Sequence, residues 1–158
     1  MYKAFYRSPV GVLEIISDSN AITEINFVRN DAKQITDEFG KYAPAVLKQC
    51  VNELKEYFAG TRNFFDVEYK LEGTDFQLRV WKELVKIPYG STITYSQQAQ
   101  QLGDIKAIRA VGTANGKNKI AIIIPCHRVI GSDKSLRGYA GGLSRKKWLL
   151  EHEQEVAS

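Results

Sequence analysis

The sequence predicts a mixed α/β chain in two parts: a small sheet with one helix packed on it, then a helical half carrying a helix-turn-helix. Three observations carry that reading. Short apolar-rich runs separated by turn residues occupy the first 28 positions, as antiparallel strands would. Apolar residues then recur at helical spacing between Pro44 and Gly60. At Glu72-Gly73-Thr74 both the pattern and the charge balance change, which makes it the best boundary, giving parts 1–72 and 73–158. A chain of 158 residues has room for one ordinary domain or two small ones.

The elements follow in order. Lys3–Arg7 reads as a strand, and Ser8-Pro9-Val10-Gly11 as a turn. Val12–Ser17 and Ala21–Val28 read as two more strands, parted by Asp18-Ser19-Asn20, with Arg29-Asn30-Asp31 ending the last. Pro44 opens a helix that buries Val46, Leu47, Cys50, Val51, Leu54, Tyr57 and Phe58, and Gly60 stops it. Phe64–Leu71 mostly alternates apolar and polar residues and is expected to be a half-buried strand. Asp75–Val85 is a helix burying Phe76, Val80, Trp81 and Leu84, closed before Pro88-Tyr89-Gly90. Thr94-Tyr95-Ser96-Gln97 has capping-box spacing and starts a short helix with Tyr95, Ala99 and Leu102 on one side, ending at Gly103. Asp104 caps a second helix running to about Asn115, before Gly116. Two short helices joined by a Gly-Asp turn form the helix-turn-helix signal. In the second, Ala107, Ala110, Val111 and Ala114 share a face expected to pack inward, with Arg109 nearly opposite, beside Gly112 and Thr113. Ile120–Ile124 reads as an apolar strand.

Composition excludes several classes. Hydrophobic residues make up 44% and charged residues 25%, a globular balance. No apolar run approaches the ~20 residues of a membrane helix, and the first residues lack the apolar stretch of a secretory signal. With two cysteines, Cys50 and Cys126, a disulfide framework is not expected, and a reducing cytoplasm is the expected location. The net charge of +4 is unevenly spread. Residues 1–72 carry 9 Lys+Arg against 11 Asp+Glu, a net of −2; residues 73–158 carry 13 against 7, a net of +6. The positive excess sits where a polyanion would be attracted.

The chemistry is concentrated in Pro125-Cys126-His127-Arg128-Val129. A cysteine attacks as thiolate, and its free pKa of about 8.5 needs a neighbouring base or cation to bring thiolate within reach. Neighbours on a regular strand point to opposite faces, so His127 reaches the sulfur only if the chain turns at Pro125-Cys126 or a water bridges the two.

These residues, with Gly138-Tyr139-Ala140-Gly141-Gly142-Leu143 and Trp148-Leu149-Leu150-Glu151-His152-Glu153, resemble the O6-alkylguanine-DNA alkyltransferase family. Gly73-Thr74-Asp75-Phe76-Gln77, Pro88-Tyr89-Gly90, Thr94-Tyr95 and Arg109-Ala110-Val111-Gly112 fit the same family, in the same order. The resemblance covers residues 73–153 densely, and Glu56-Tyr57-Phe58-Ala59-Gly60 extends it loosely into the first half.

The resemblance implies a ribonuclease H-like N-terminal domain and a helical C-terminal domain with a winged-helix-like reader in the minor groove. It implies DNA repair by single, irreversible transfer of the methyl group of O6-methylguanine, and also of O4-methylthymine, onto Cys126. His127 would remove the thiol proton through a bridging water, Glu153 would orient that histidine, and Asn118 would tie the helix-turn-helix to the active-site turn. Arg109 would replace the flipped base in the stack, Tyr95 would assist its extrusion, and the resemblance counts Ala110 and Gly112 among the DNA-binding positions. Backbone groups around Cys126, Val129 and Ala140 would read guanine, with Tyr139 as a pocket wall. Ala140 stands where many relatives have serine, and Asn115 where some have an apolar pocket residue. The implied partner is double-stranded DNA containing O6-alkylguanine, met by a monomer in the cytoplasm, at the nucleoid when bound. No cofactor is implied, since the protein's own thiolate is the acceptor. The zinc site of some relatives is not expected, because both histidines, His127 and His152, follow residue 73 and Cys50 lies on a buried stripe. His152 reads as a helix-face residue. Other classes fit less: a non-catalytic damage sensor would lack Cys126, a transcription regulator leaves Pro-Cys-His-Arg unexplained, and a thiol hydrolase finds no protease signature.

Overall fold

A computed structural model describes residues 1–28, 39 and 42–158. The chain divides into two compact units. One is Met1–Leu71 with Lys119–Ala121; the other is Glu72–Asn118 with Ile122–Ser158.

The first unit holds an antiparallel sheet of β1 (Tyr2–Ser8), β2 (Gly11–Ser17) and β3 (Ile22–Phe27) in that order. Ser8 pairs with Gly11 across the first turn, where the Ser8 hydroxyl donates to the Gly11 carbonyl at 2.6 Å. Leu13 and Ile15 of β2 and Ile22 and Ile25 of β3 are buried, and α1 (Ala45–Ala59) contributes Leu47, Cys50, Leu54 and Tyr57 to this core. Gly60 ends α1 at φ +80, a left-handed conformation that costs glycine least. The expected end of the third strand at Arg29-Asn30-Asp31 lies outside the described residues.

Two expected strands do not form. Of Phe64–Leu71, only Tyr69 bridges, in parallel with Ile22. The buried Glu53 carboxylate instead accepts from the N–H groups of Asp66 (2.8 Å) and Val67 (3.2 Å), so a side chain of α1 satisfies backbone that a ladder would otherwise serve. Ile120–Ile124 likewise makes a single bridge, Ile120 with Ile25, before the chain turns. Ile122 sits at φ +72, a conformation that a β-branched side chain rarely adopts.

In the second unit, α2 (Asp75–Leu84) begins at a complete capping box between Thr74 and Gln77 and buries Val80, Trp81 and Leu84, while Phe76 is half-buried. The Trp81 indole donates to the Ala114 carbonyl at 2.9 Å, tying α2 to the helix-turn-helix. That motif comprises α3 (Tyr95–Gln101), also opened by a capping box, and α4 (Ile108–Gly116). Asp104 caps a 3-10 turn over Ile105–Ala107 rather than α4 itself. The inward face of α4 is Val111, Ala114 and Asn115; Ala110 is exposed and Ala107 half-buried. Asn115 takes the place expected for Ala110 because it pairs with buried Gln98 of α3, each amide donating to the other at 2.8 Å. A short parallel pair, β4 (Ile93–Thr94) with β5 (Val129–Ile130), and the long α5 (Leu143–Ala157) complete the unit.

Candidate active site

The turn that presents Cys126 is set by Pro125. At φ −84 and ψ 61, Pro125 centres an inverse γ-turn in which the Cys126 N–H donates to the Ile124 carbonyl at 2.8 Å. Cys126–Arg128 then form one turn of 3-10 helix before β5. The chain therefore turns at Pro125-Cys126, which was one of the two routes by which a histidine next in sequence could serve the sulfur.

Cys126 is buried, and its sulfur accepts from the Asn118 side-chain amide at 3.3 Å. The same Nδ2 donates to the Ile124 carbonyl at 2.7 Å, so Asn118, just after α4, joins that helix to the cysteine turn. Burial pushes the Cys126 thiol above its ordinary value, while the Asn118 hydrogen bond and the Lys146 cation pull it back. The net balance favours the thiol over the thiolate.

His127 is fully buried and places Nε2 at 2.7 Å from Glu153 Oε2, on α5. Burial lowers the affinity of His127 for a second proton, against the opposing pull of Glu153. Burial would raise the Glu153 carboxyl, but hydrogen bonds and charges from His127 and Arg128 outweigh it and hold the group ionised. An ionised carboxylate only accepts, so the His127 proton belongs on Nε2. Nδ1 is buried with no hydrogen-bond partner among the described residues, so its lone pair is the one on the ring not committed to Glu153.

A cleft of about 650 Å³ lies in the second unit, and Tyr95, Arg109, Gly112, Tyr139 and Ala140 all line it. Gly112 is half-buried and Arg109 exposed. The Tyr95 hydroxyl donates to the Arg137 carbonyl at 3.0 Å. Tyr139 is held far above the ordinary phenol range by burial and by the neighbouring Cys126. Val129 is fully buried in β5, and Ala110, although exposed, does not line the cleft. Nor does Asn115, which is spent on Gln98. His152 stacks on Trp148 along α5, with ring centroids 4.8 Å apart. No cluster of three His, Cys, Asp or Glu side chains among the described residues is placed to hold a metal ion.

Two residues of this region carry no role in the sequence reading. Arg128 grips Glu153 through Nε (2.7 Å) and Nη2 (3.1 Å). Lys146 is fully buried; its ammonium donates to the Arg137 carbonyl at 2.7 Å and stands over the Tyr95 ring at 5.6 Å. Burial brings Lys146 down to about 8. A signal for both Lys146 and Glu153 was present: with Leu149 and Leu150 they form an i, i+3, i+4, i+7 stripe, the buried face of α5.

Two family models cover the chain. Residues 1–71 match the ribonuclease-like domain of 6-O-methylguanine DNA methyltransferase, and residues 75–155 match its DNA-binding domain. A methylated-DNA–protein-cysteine methyltransferase of Methanosarcina acetivorans is 42% identical over 153 residues, 97% of this chain and 98% of the relative. A protein of the same name from Mycobacterium tuberculosis is 45% identical over 150 residues, covering 95% and 90%. Among solved structures, Mycobacterium tuberculosis OGT in complex with DNA superposes with a TM-score of 0.87 at 43% identity, covering 99% of this chain and 94% of that one. An O6-methylguanine DNA methyltransferase of Methanococcus jannaschii gives 0.62 at 33% identity, covering 90% and 88%.

Proposed function

The chain belongs to the 6-O-methylguanine DNA methyltransferase family, and from that premise we propose that it repairs DNA by moving the alkyl group of O6-methylguanine onto its own Cys126. The observation that carries this reading is the buried constellation of sulfur, imidazole and carboxylate. Cys126 stands in a proline-set turn with Asn118 on its sulfur, and His127 beside it is oriented by Glu153.

His127 takes the thiol proton at Nδ1 through one bridging water. The sulfur then attacks the alkyl carbon in line; the S–C bond forms, the C–O6 bond breaks, and the electron pair leaves on the base, which gains a proton and is restored as guanine. A thioether is not a reversible oxidation state, so each molecule acts once. The acceptor is the protein itself, and no cofactor takes part.

The partner is double-stranded DNA carrying O6-alkylguanine. A base inside a duplex is out of reach of a buried sulfur and must be flipped. Arg109, exposed on α4, fills the gap, and Tyr95 across the cleft guides the extruded nucleotide. Gly112 and exposed Ala110 give α4 a small-residue surface that a minor groove can approach. Backbone at Cys126, Val129 and Ala140 reads the base against the Tyr139 wall. O4-methylthymine, similar in size and in its alkylated oxygen, is a second substrate. Residues 73–158 carry the DNA-binding and transfer chemistry and residues 1–72 form the supporting domain. The protein works as a monomer in the cytoplasm, at the nucleoid when bound; no helix among the described residues is long and apolar enough to cross a membrane.

Intact-mass spectrometry after mixing with a duplex holding one O6-methylguanine tests the reading. One methyl group gained, mapped to Cys126, supports it. Methyl uptake elsewhere, or none, overturns it.

A further inference from the structure

We propose that Arg128 is a positioning residue for the transfer: its two-pronged grip on Glu153 fixes the proton of His127 on Nε2 and keeps the imidazole neutral. This rests on His127 as the base, as read above.

The geometry is specific. Arg128 Nε meets Glu153 Oε1 at 2.7 Å and Nη2 meets Oε2 at 3.1 Å, a forked pairing in which both carboxylate oxygens are engaged. Oε2 also receives His127 Nε2 at 2.7 Å. The third arm, Nη1, donates to the Ile87 carbonyl at 2.7 Å, and the guanidinium lies 5.5 Å from the centre of the Tyr89 ring. Both Arg128 and Glu153 are buried, so water does not compete for the pair. The arginine is thus anchored from the segment after α2, and carries that anchor to α5 from the very turn that presents the nucleophile.

The grip has two consequences for His127. If Glu153 took up a proton it could donate to Nε2, and the imidazole proton could move to Nδ1, where it would block proton removal from the thiol. A fixed guanidinium on both oxygens opposes that state, because its charge and its two donated hydrogen bonds favour the ionised carboxylate over the neutral acid. The charges around the imidazole come from two elements. Glu153 and Lys146 reach it from α5, and Arg128 and the Cys126 thiol share its own turn. Glu153 favours imidazolium, while Arg128 and Lys146 oppose it along with burial. Arg128 therefore steers the carboxylate towards orienting the ring without protonating it. Losing the cation should raise the proton affinity of His127 and leave less of the neutral base at a given pH.

The test compares wild type, Arg128→Lys and Arg128→Met as full chains, using alkyl uptake from free O6-benzylguanine between about pH 5 and 9. Free base avoids any effect on duplex binding. Arg128→Met should lower the plateau rate about tenfold and move the acidic limb of the profile up by about one pH unit. Arg128→Lys, keeping a cation but not the fork, should lose plateau rate with its limb in place. A purely structural role would scale the Arg128→Met profile without moving its limb, and that result overturns the proposal. So does a limb moved to lower pH. Should Arg128→Met not fold, the tautomer decides: nitrogen-15 shifts of His127 in the wild-type protein should show the proton on Nε2, and a proton on Nδ1 overturns the proposal. A wild type that transfers alkyl groups to Cys126 without either signature defeats the Arg128 role alone; a wild type with no uptake defeats the underlying reading.

Discussion

Cys126 is pulled in opposite directions, since burial favours the thiol while Asn118 and Lys146 favour the thiolate. Asn118→Leu removes the sulfur's hydrogen-bond donor, so the thiol pKa should rise further. Alkylation of Cys126 by iodoacetamide at neutral pH should slow about tenfold and recover as pH is raised, since one pKa unit is tenfold in thiolate. An unchanged pH–rate curve would show that the 3.3 Å contact does not support the thiolate. Cys126→Ala should abolish methyl uptake yet retain binding to alkylated duplex, because Arg109 and Tyr95 lie on other elements; any stoichiometric uptake by this variant counts against Cys126 as acceptor. At this scale the sequence was informative where a residue type has few other uses. Pro-Cys-His-Arg singles out the turn in which a buried sulfur and a carboxylate-bound imidazole are found. The same letters could not show that Arg128 and His127 share one carboxylate, because Glu153 is brought to them by α5 and not by sequence proximity. Periodicity places Ala110 on the inward face of α4 and omits Asn115 for the same reason: the Asn115 partner, Gln98, lies in another helix, and no local pattern announces an amide pair.

Helices read well from the sequence and strands less so. A capping box is local chemistry, confined to four residues: the one at Thr94 forms as its spacing predicts, and a second forms at Thr74. Phe64–Leu71 and Ile120–Ile124 have strand-like composition, but a strand needs a partner, and among the described residues these segments find only one bridge each. The Gln98–Asn115 pair holds α3 against α4 through two hydrogen bonds closed to solvent. Asn115→Leu alone should cost about 1–3 kcal/mol by stranding the Gln98 amide, while Gln98→Leu with Asn115→Leu should recover most of it. Chemical denaturation of the single and double variants decides; equal losses would mean the pair contributes only its volume. On α4, Arg109→Ala should slow repair within a duplex and leave reaction with O6-benzylguanine nearly unchanged, because unstacking costs on the order of a few kcal/mol only when a base must leave a helix. Equal losses on both substrates would remove Arg109 from that role.

The whole molecule carries its excess charge in one half. With +6 over residues 73–158, duplex binding should weaken with salt at a slope of about −0.9 per phosphate neutralised, and an affinity indifferent to salt would argue against a duplex partner. Stability should depend on acid in a stated direction. Glu153 is held below its ordinary 4.5, so what it contributes is present above that pH and is lost as pH falls beneath it. His127 is held below its ordinary 6.5, so the unfolded chain takes up that proton first as pH drops, and folding weakens there too. Both act in the same sense: Tm should fall first as pH drops through about 6.5, from His127, and further as it drops from about 4.5 to about 3, from Glu153; a flat Tm across either window would contradict the assignment that belongs to it.

The return of Lys119–Ala121 to the first unit has a consequence for the order in which the protein can be made. Ile25 of β3 donates its N–H to the Lys119 carbonyl at 2.8 Å and accepts from the Ala121 N–H at 3.2 Å. A growing chain is released from its N-terminus at about 5–20 residues per second. The hairpins of β1, β2 and β3 can close early, but this part of β3 waits for residues made long after it, with α1, α2 and the helix-turn-helix emerging in between. Until then Ile25 presents an open strand edge, the kind of surface that pairs with the wrong chain. A fragment ending at residue 72 would keep that edge permanently, and nascent chains stalled before residue 119 should exchange the Ile25 amide with solvent faster than the finished protein does.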